Sequence, residues 1–336
     1  MQIPKPYLLF LGDVRDALAV KMARGILTWR PEACVGQLRL DDQTPSLGID
    51  DLPLEAGRER GAQTLVVGTA NAGGKLPEHW VDTLEQAIEL GYNVASGMHQ
   101  RLAAIPRLAD AAKRQGVKLF DIRHDAPALE VGNGKRRSGR RVLSVGLDCA
   151  VGKMFSALAL EAELKSRGEN ADFRATGQSG ILIQGEGIAV DAVVADFISG
   201  AAEYISPAND ADHWDLVEGQ GSLFHPSYAG VSLGLLHGAQ PDFLVMCHEL
   251  GRPHVRHLPH IQLPSYAACV ERNLANARTT NPDVVLAGFS INTSNVDEAQ
   301  ARAHLAEIEA EFGVPATDPV RFGVGPLVDH LIEQTR

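Results

Sequence analysis

What most limits the fold of this chain is an alternation. Apolar runs of strand length are followed repeatedly by longer segments of helical periodicity: "YLLFLG" then "DALAVKMARGIL", "TLVVG" then "WVDTLEQAIEL", "NVASG" then "RLAAIPRLADAAKRQG", closing on "KLFDIR". Short strands buried on both faces and joined by amphipathic crossover helices make a parallel α/β sheet. Residues 1–130 therefore read as a Rossmann-like domain. "EVGNGKRRSGRR" then breaks the pattern with three glycines and five basic residues, which suits a linker at 131–141 whose charges are solvated, a phosphate patch being the alternative. The alternation resumes over 142–336 with "RVLSVG", "KMFSALALEAELKSRG", "ADFRATG", "AVDAVVADFISGAAEYI", "WDLVEG", "FLVMCH" and "VVLAGFSIN". A second parallel α/β domain is expected there.

A chain of 336 residues with 45% hydrophobic composition can fill two such cores. Its formal charge of -11 argues against nucleic acid and anionic membranes, which demand an excess of Lys and Arg. Small molecules are the expected partners. Cys34, Cys149, Cys247 and Cys269 are scattered, without a paired spacing, as in a reducing compartment. The opening "MQIPKPYLLFLGD" is interrupted too early by Gly12 and Asp13 for a signal peptide or a membrane span. A cytoplasmic protein is expected.

The chemistry lies in "VLSVGLDCAVGKMFSALALE". A loop between strand and helix that carries small residues lets consecutive backbone N–H groups converge on an anion, and a lysine at the helix start neutralises phosphate. Gly146, Gly152 and Lys153 supply these parts, with one residue more between the glycines than in the common Gly-x-x-x-x-Gly-Lys-Ser/Thr loop. "GLDCAVGKM" resembles the longer loop of the dethiobiotin synthetase branch, Gly-Thr-Asp-x-x-Val-Gly-Lys-Thr, with Asp148 in register. In "HWDLVEGQGSLFHPSY", Asp215, Glu218, Gly219 and Gly221 resemble the Asp-x-x-x-Glu-Gly-Ala-Gly element that follows the second strand of that branch. Loops at the carboxyl ends of parallel strands line one crevice.

Met154 stands where phosphoryl-transfer enzymes place a Ser or Thr on Mg²⁺. A thioether is a poor ligand for that hard cation. Gripping of phosphate survives the exchange, while metal-assisted cleavage loses its anchor. A phosphate-bearing carrier that leaves whole, such as coenzyme A, fits.

"KPYLLFLGD", "EACVGQLRL", "RRVLSVGLDCAVGKMFSALALE", "ADFRATGQSGILIQGEGIAVDAVVADFISGAAE", "HWDLVEGQGSLFHPSYAGVSLGLLHG" and "DPVRFGVGPLVD" together resemble the D-glutamate N-acetyltransferase family over essentially the whole chain. The resemblance implies transfer of acetyl from acetyl-CoA to the amine of D-glutamate, giving N-acetyl-D-glutamate. It also implies an N-terminal Rossmann-like domain and a C-terminal P-loop NTPase-like domain, with no metal expected.

Such a reaction needs a base for the ammonium of the substrate, donors for an oxyanion, and cations or N–H groups for two carboxylates. Glu218 is the first choice of base, His225 the second, and Asp148 a further candidate with loop-holding as its plainer role. Arg174, Thr176, Gln178 and Ser179 in "RATGQSGILIQG" form a polar turn assigned to the glutamate carboxylates, with Arg252 available to a phosphate or carboxylate. Gly146, Gly152, Lys153 and Met154 are assigned to the carrier, and Asn292 in "SINTSN", beside Thr293, to its adenine. The histidines of "CHELGRPHVRHLPH" lack the spacing of a helical zinc motif, and no metal is assigned. Cys149 as an acetyl-enzyme nucleophile is set beside the plainer reading of a small loop residue. "GTANAGGK" and "ASGMHQRL" read as packing turns or a lid. A homo-oligomer, by default a dimer, is expected. The rival readings are an ATP- and Mg²⁺-dependent ligase or kinase and a non-catalytic nucleotide sensor.

Overall fold

A computed structural model describes residues 2–17, 19–69 and 75–335; residues 70–74, the centre of "GTANAGGK", lie outside this set. The chain divides into two compact units, one of residues 1–127 and 177–192 and the other of residues 128–176 and 193–336.

The first unit is built on β1 (Tyr7–Gly12), β2 (Cys34–Arg39), β3 (Thr64–Val67), β4 (Asn93–Ser96) and β5 (Leu119–Asp121), parallel throughout in the order β2-β1-β3-β4-β5. Residues Tyr7 to Leu11 are all fully buried, which is why this central strand reads as an unbroken apolar run. Helices α1 (Lys21–Trp29), α2 (Leu54–Glu59), α3 (Trp80–Glu89) and α4 (Pro106–Gln115) are the crossovers. Pro106 opens α4, where a missing N–H does no harm, and Gly116 closes it in the left-handed region. The sequence "DALAVKMARGIL" promises a helix from residue 16, but α1 begins only at Lys21.

The polar turn expected at "RATGQSGILIQG" is a helix over much of its length: α6 (Gln178–Gln184), with Ile181, Leu182 and Ile183 buried and Gly185 ending it at φ +90°. The apolar triplet, once buried, outweighs the flanking polar residues. This helix belongs to the first unit, where α1 packs against it.

The second unit contains β6 (Arg140–Gly146), α5 (Lys153–Ser166), β7 (Ala171–Arg174), α7 (Ile198–Ile205), β8 (Trp214–Val217), α8 (Ala229–Ala239), β9 (Phe243–Glu249), α9 (Tyr266–Ala277), β10 (Val285–Asn292), α10 (Glu298–Phe312), β11 (Ala316–Thr317) and α11 (Gly325–Glu333). The six strands are parallel in the order β11-β10-β9-β6-β8-β7. One face carries the core of Leu143, Val145, Leu244 and Met246 against Leu235, Leu236 and Cys269 of α8 and α9. On the other, Cys247 Sγ meets Ser156 of α5. A capping box of Asp297 and Gln300 starts α10, and Gly313 ends it. "AVDAVVADFISGAAEYI" becomes α-helix only from Ile198, after two 3-10 turns.

The basic segment also departs from a solvated turn. Arg141 is 2% exposed, its guanidinium donating to the carbonyls of Ser138 and Pro207, while Arg137 donates to Ser206 and Gly238. These arginines satisfy carbonyls at loop and helix ends. No helix among the described residues is long and apolar enough to cross a membrane.

Candidate functional site

The phosphate loop leaves the centre of the second sheet at Gly146 and enters α5 at Lys153. Gly152 caps the helix at φ +98° and Ala150 adopts φ +51°. The first conformation is natural to glycine, and the second strains an L-residue by roughly 1–2 kcal/mol. Left-handed residues in such a loop fold successive N–H groups into an anion-binding concavity.

Lys153 is 6% exposed, and its Nζ donates to the Asp148 carbonyl at 2.8 Å. Burial lowers its pKa, with Cys247, Cys149 and Asp148 acting in the opposite sense. Met154 is the second residue of the helix. Two residues on, the Ser156 hydroxyl is engaged by the Gly152 carbonyl at 3.0 Å and by Ser290 at 2.7 Å. That hydroxyl serves the helix–sheet contact and does not restore the one missing at Met154.

The Asp148 carboxylate belongs to the loop's own bonding. It accepts from Cys149 N at 2.7 Å, Arg256 N at 2.7 Å and Arg252 Nη1 at 2.8 Å. Burial works against its charge, yet Arg252 and the two N–H groups outweigh it and hold the pKa below the usual carboxylate range. A carboxylate so stabilised is a weak base. Arg252, expected to meet a ligand anion, instead spreads its fork over protein acceptors: Asp148, the carbonyls of Cys149 at 2.7 Å and Ala150 at 3.0 Å, and Glu249 at 3.0 Å.

Glu218 follows β8, 4% exposed. Its Oε2 accepts from Thr176 N at 2.9 Å, and the Thr176 hydroxyl donates to the Glu218 carbonyl at 2.6 Å. Gln220 Nε2 donates to the same hydroxyl at 3.1 Å. Thr176 is thus brought to Glu218, in its backbone as much as its side chain. Gly219 donates to Ser144 Oγ at 3.0 Å, and a Cβ there would lie 1.7 Å from the Ser144 carbonyl oxygen and 3.0 Å from Lys153 Cδ. That closeness puts the turn carrying Glu218 against the phosphate-loop lysine.

His225 is 4% exposed, its Nδ1 accepting from Ser227 N at 3.2 Å and its Nε2 facing the Arg256 carbonyl at 3.4 Å. These partners fix the tautomer with the proton on Nε2 and occupy the lone pair of Nδ1, so the second-choice base is spent on its own turn. Asp148, Cys149 and His225 bring ligand-type atoms within 4.8 Å of one another. Lys153, Arg256 and Arg252 stand close to the same thiol, which favours an anion over a cation there. Among the described residues, His248, His254, His257 and His260 form no such group. Burial, chiefly, raises the Cys149 thiol despite Lys153 nearby, which leaves little thiolate for an acetyl-enzyme.

Other expected site residues stand apart. Arg174 Nε donates to Asp215 at 2.7 Å, so its charge is met by a wholly buried carboxylate instead of a ligand. Gln178 and Ser179 fall in the first unit, where Gln178 Oε1 accepts from Arg123 Nε at 3.0 Å. Asn292 Oδ1 closes a turn on Ser294 N at 3.0 Å, and Thr293 gives its hydroxyl and N–H to Asp318.

Nothing in the sequence marks Arg256, whose N–H braces the loop, or Ser144, which holds Gly219, and Glu249, which stands there among the candidate metal ligands of the histidine-rich run, instead anchors Arg252. The one signal available was the acid three residues before Arg252 at a strand end. His248, which the sequence places in a polar loop or a metal site, is 7% exposed with Nδ1 unpartnered, its ring edge-on to Tyr266. Burial first, then Arg252 and His304, push its pKa down to about 4. Because the folded value lies below the unfolded one, protons bind the unfolded chain preferentially as pH falls from 6.5 to 4. The shift corresponds to about 3 kcal/mol lost across that window. His248→Gln should flatten this part of the stability curve, read by urea unfolding at intervals from pH 7.5 to 4.5; an unchanged slope refutes the assignment.

Two family descriptions cover most of the chain: the P-loop domain DUF1611_C over residues 130–328 and the Rossmann-like domain DUF1611_N over residues 39–125. A crystal structure of a DUF1611 family protein from Anabaena variabilis superposes with a TM-score of 0.83 at 32% identity, covering 98% of this chain and 100% of that one. Proteins named D-glutamate N-acetyltransferase are similar throughout. The one from Pseudoalteromonas sp is 48% identical over 98% of this chain and 100% of its own length. The one from Tritonibacter scottomollicae is 49% identical over 98% and 99%. The chain belongs to the D-glutamate N-acetyltransferase family, the DUF1611 group of P-loop proteins.

Proposed function

We propose that this protein transfers the acetyl group of acetyl-CoA to the amine of D-glutamate. The observation that carries this reading is identity of 48% and 49%, over nearly the full chain, to two D-glutamate N-acetyltransferases. The site supports it. A loop with a buried lysine and a methionine after it suits a carrier held by phosphate and released intact.

In this reading the loop N–H groups and Lys153 hold phosphate of coenzyme A. Glu218 takes a proton from the substrate ammonium, which frees the nitrogen lone pair for attack on the thioester carbonyl. The C–N bond forms, the C–S bond breaks, and the departing sulfur gains a proton as the free thiol. Thr176 N–H holds Glu218 in place. A cytoplasmic setting and a symmetric dimer are part of the proposal, the first supported by four free cysteines, the second by the prevalence of that symmetry.

The test is thiol release from acetyl-CoA with D- and L-glutamate in parallel, with and without Mg²⁺. Release that depends on D-glutamate and is unaffected by EDTA is expected. ADP formation from ATP under Mg²⁺, with no thiol released, would establish the ligase reading instead.

A further inference from the structure

We propose that Arg252 is the positioning residue of the phosphate loop: it grips carbonyls on the loop's outer side and thereby aims N–H groups at the anion. In loops that end in Ser or Thr, a divalent cation helps to fix phosphate. The proposal rests on the reading above that the bound phosphate belongs to an intact carrier.

The argument begins with peptide geometry. In a trans peptide the carbonyl of one residue and the N–H of the next point in opposite directions. Arg252 draws the Cys149 carbonyl to Nη1 at 2.7 Å and the Ala150 carbonyl to Nη2 at 3.0 Å. The N–H groups of Ala150 and Val151 therefore face the other way. Ala150 keeps its left-handed φ of +51° because the carbonyls on either side are tied to one rigid group. The same Nη1 bonds Asp148 Oδ2 at 2.8 Å, so a single plane of donors sets the loop from Asp148 through Ala150.

The guanidinium is itself fixed. Its Nε donates to Glu249 at 3.0 Å, Glu249 also takes Asn295 Nδ2 at 3.2 Å, and the Arg252 side chain is only 11% exposed. Two carboxylates offset its charge, so its service to the ligand is orientation more than attraction. Lysine keeps the charge but, as a point donor, cannot span these acceptors.

The experiment compares full-length Arg252→Lys, Arg252→Ala and Glu249→Gln with the parent by thermal melting, by calorimetric binding of CoA and of inorganic pyrophosphate, and by steady-state kinetics. Arg252→Lys is expected to melt cooperatively, with the Kd for CoA raised about tenfold to a hundredfold. Its KM for D-glutamate should stay near the parental value. Millimolar guanidinium should restore part of the affinity of Arg252→Ala, and methylammonium less. If the arginine variants do not fold, Glu249→Gln, which removes the charge that anchors Nε and Nη2 and leaves the guanidinium itself in place, should still weaken CoA binding measurably.

A folded Arg252→Lys that binds CoA and pyrophosphate as tightly as the parent overturns the proposal, as does a loss confined to the KM for D-glutamate. A parent that binds pyrophosphate but not CoA sinks the carrier assignment, and the role of Arg252 is then decided on pyrophosphate. If the parent binds neither, both fail.

Discussion

Glu218→Gln should fold, bind acetyl-CoA with near-parental affinity and turn over about 100- to 10,000-fold more slowly, the range a positioned general base supplies. The amide keeps the carboxylate's shape, and its oxygen can still accept the Thr176 N–H that holds Oε2 at 2.9 Å. The Thr176 hydroxyl reaches the Glu218 backbone carbonyl and not its side chain, so the main-chain arrangement is untouched. What disappears is the capacity to take a proton from the substrate ammonium. The decisive comparison is kcat against the calorimetric Kd for CoA: both should be measured, and only kcat should collapse. Unchanged turnover removes Glu218 from the reaction. His225 is no ready replacement, because its Nδ1 lone pair is taken by Ser227 N.

The second large effect concerns stability. Asp215→Ala should destabilise the fold by about 3–5 kcal/mol, as expected when one partner of a buried ion pair is deleted. Asp215 is wholly buried at the amino end of β8, with Arg174 Nε at 2.7 Å, His213 Nε2 at 3.2 Å and Arg141 Nε at 3.7 Å. Without it, Arg141 and Arg174 lose their buried counterion, and the more exposed Asp172, 3.6 Å from Arg174 Nη2, is a weak substitute. Urea unfolding gives the loss directly, and a cost below about 1 kcal/mol, typical of a surface change, would show the cluster to be dispensable. Arg141 and Asp215 are register partners near the amino ends of β6 and β8, whereas the loop leaves β6 at its other end, Gly146. The folded fraction should therefore retain its turnover number.

The same cluster shows where the sequence stopped being informative. In the sequence Arg174 ends a strand beside a polar turn and looks available to a ligand. Its partner lies 41 positions away, a distance that only strand pairing closes. The fold class was legible because buried parallel strands leave unbroken apolar runs such as "YLLFLG" and "FLVMCH", and because Gly152, Lys153 and Glu218 sit next to them in the chain. The edge strand β2 escaped that reading: it is buried only at its centre, and Gly36 and Gln37 interrupt its apolar character. Arg252 is conspicuous for its charge but not for its use, since the loop acceptors it serves lie more than 100 positions earlier. Periodicity reports burial; it carries nothing about which buried charge meets which.

The first unit is discontinuous, and this orders its biogenesis. Residues 1–127 leave the ribosome long before α6, which returns to pack on α1, with Gly25 facing Ile183, Ile3 N–H bonded to the Gly185 carbonyl and Lys5 to that of Gln184. Nascent chains complete N-terminal domains as units when those domains are contiguous. Here the leading sheet must wait, one flank uncovered, until β6, α5 and β7 have also been synthesised. A gene fragment ending near residue 127 lacks that cover, and a faithful isolated version has to carry the 177–192 segment grafted back on.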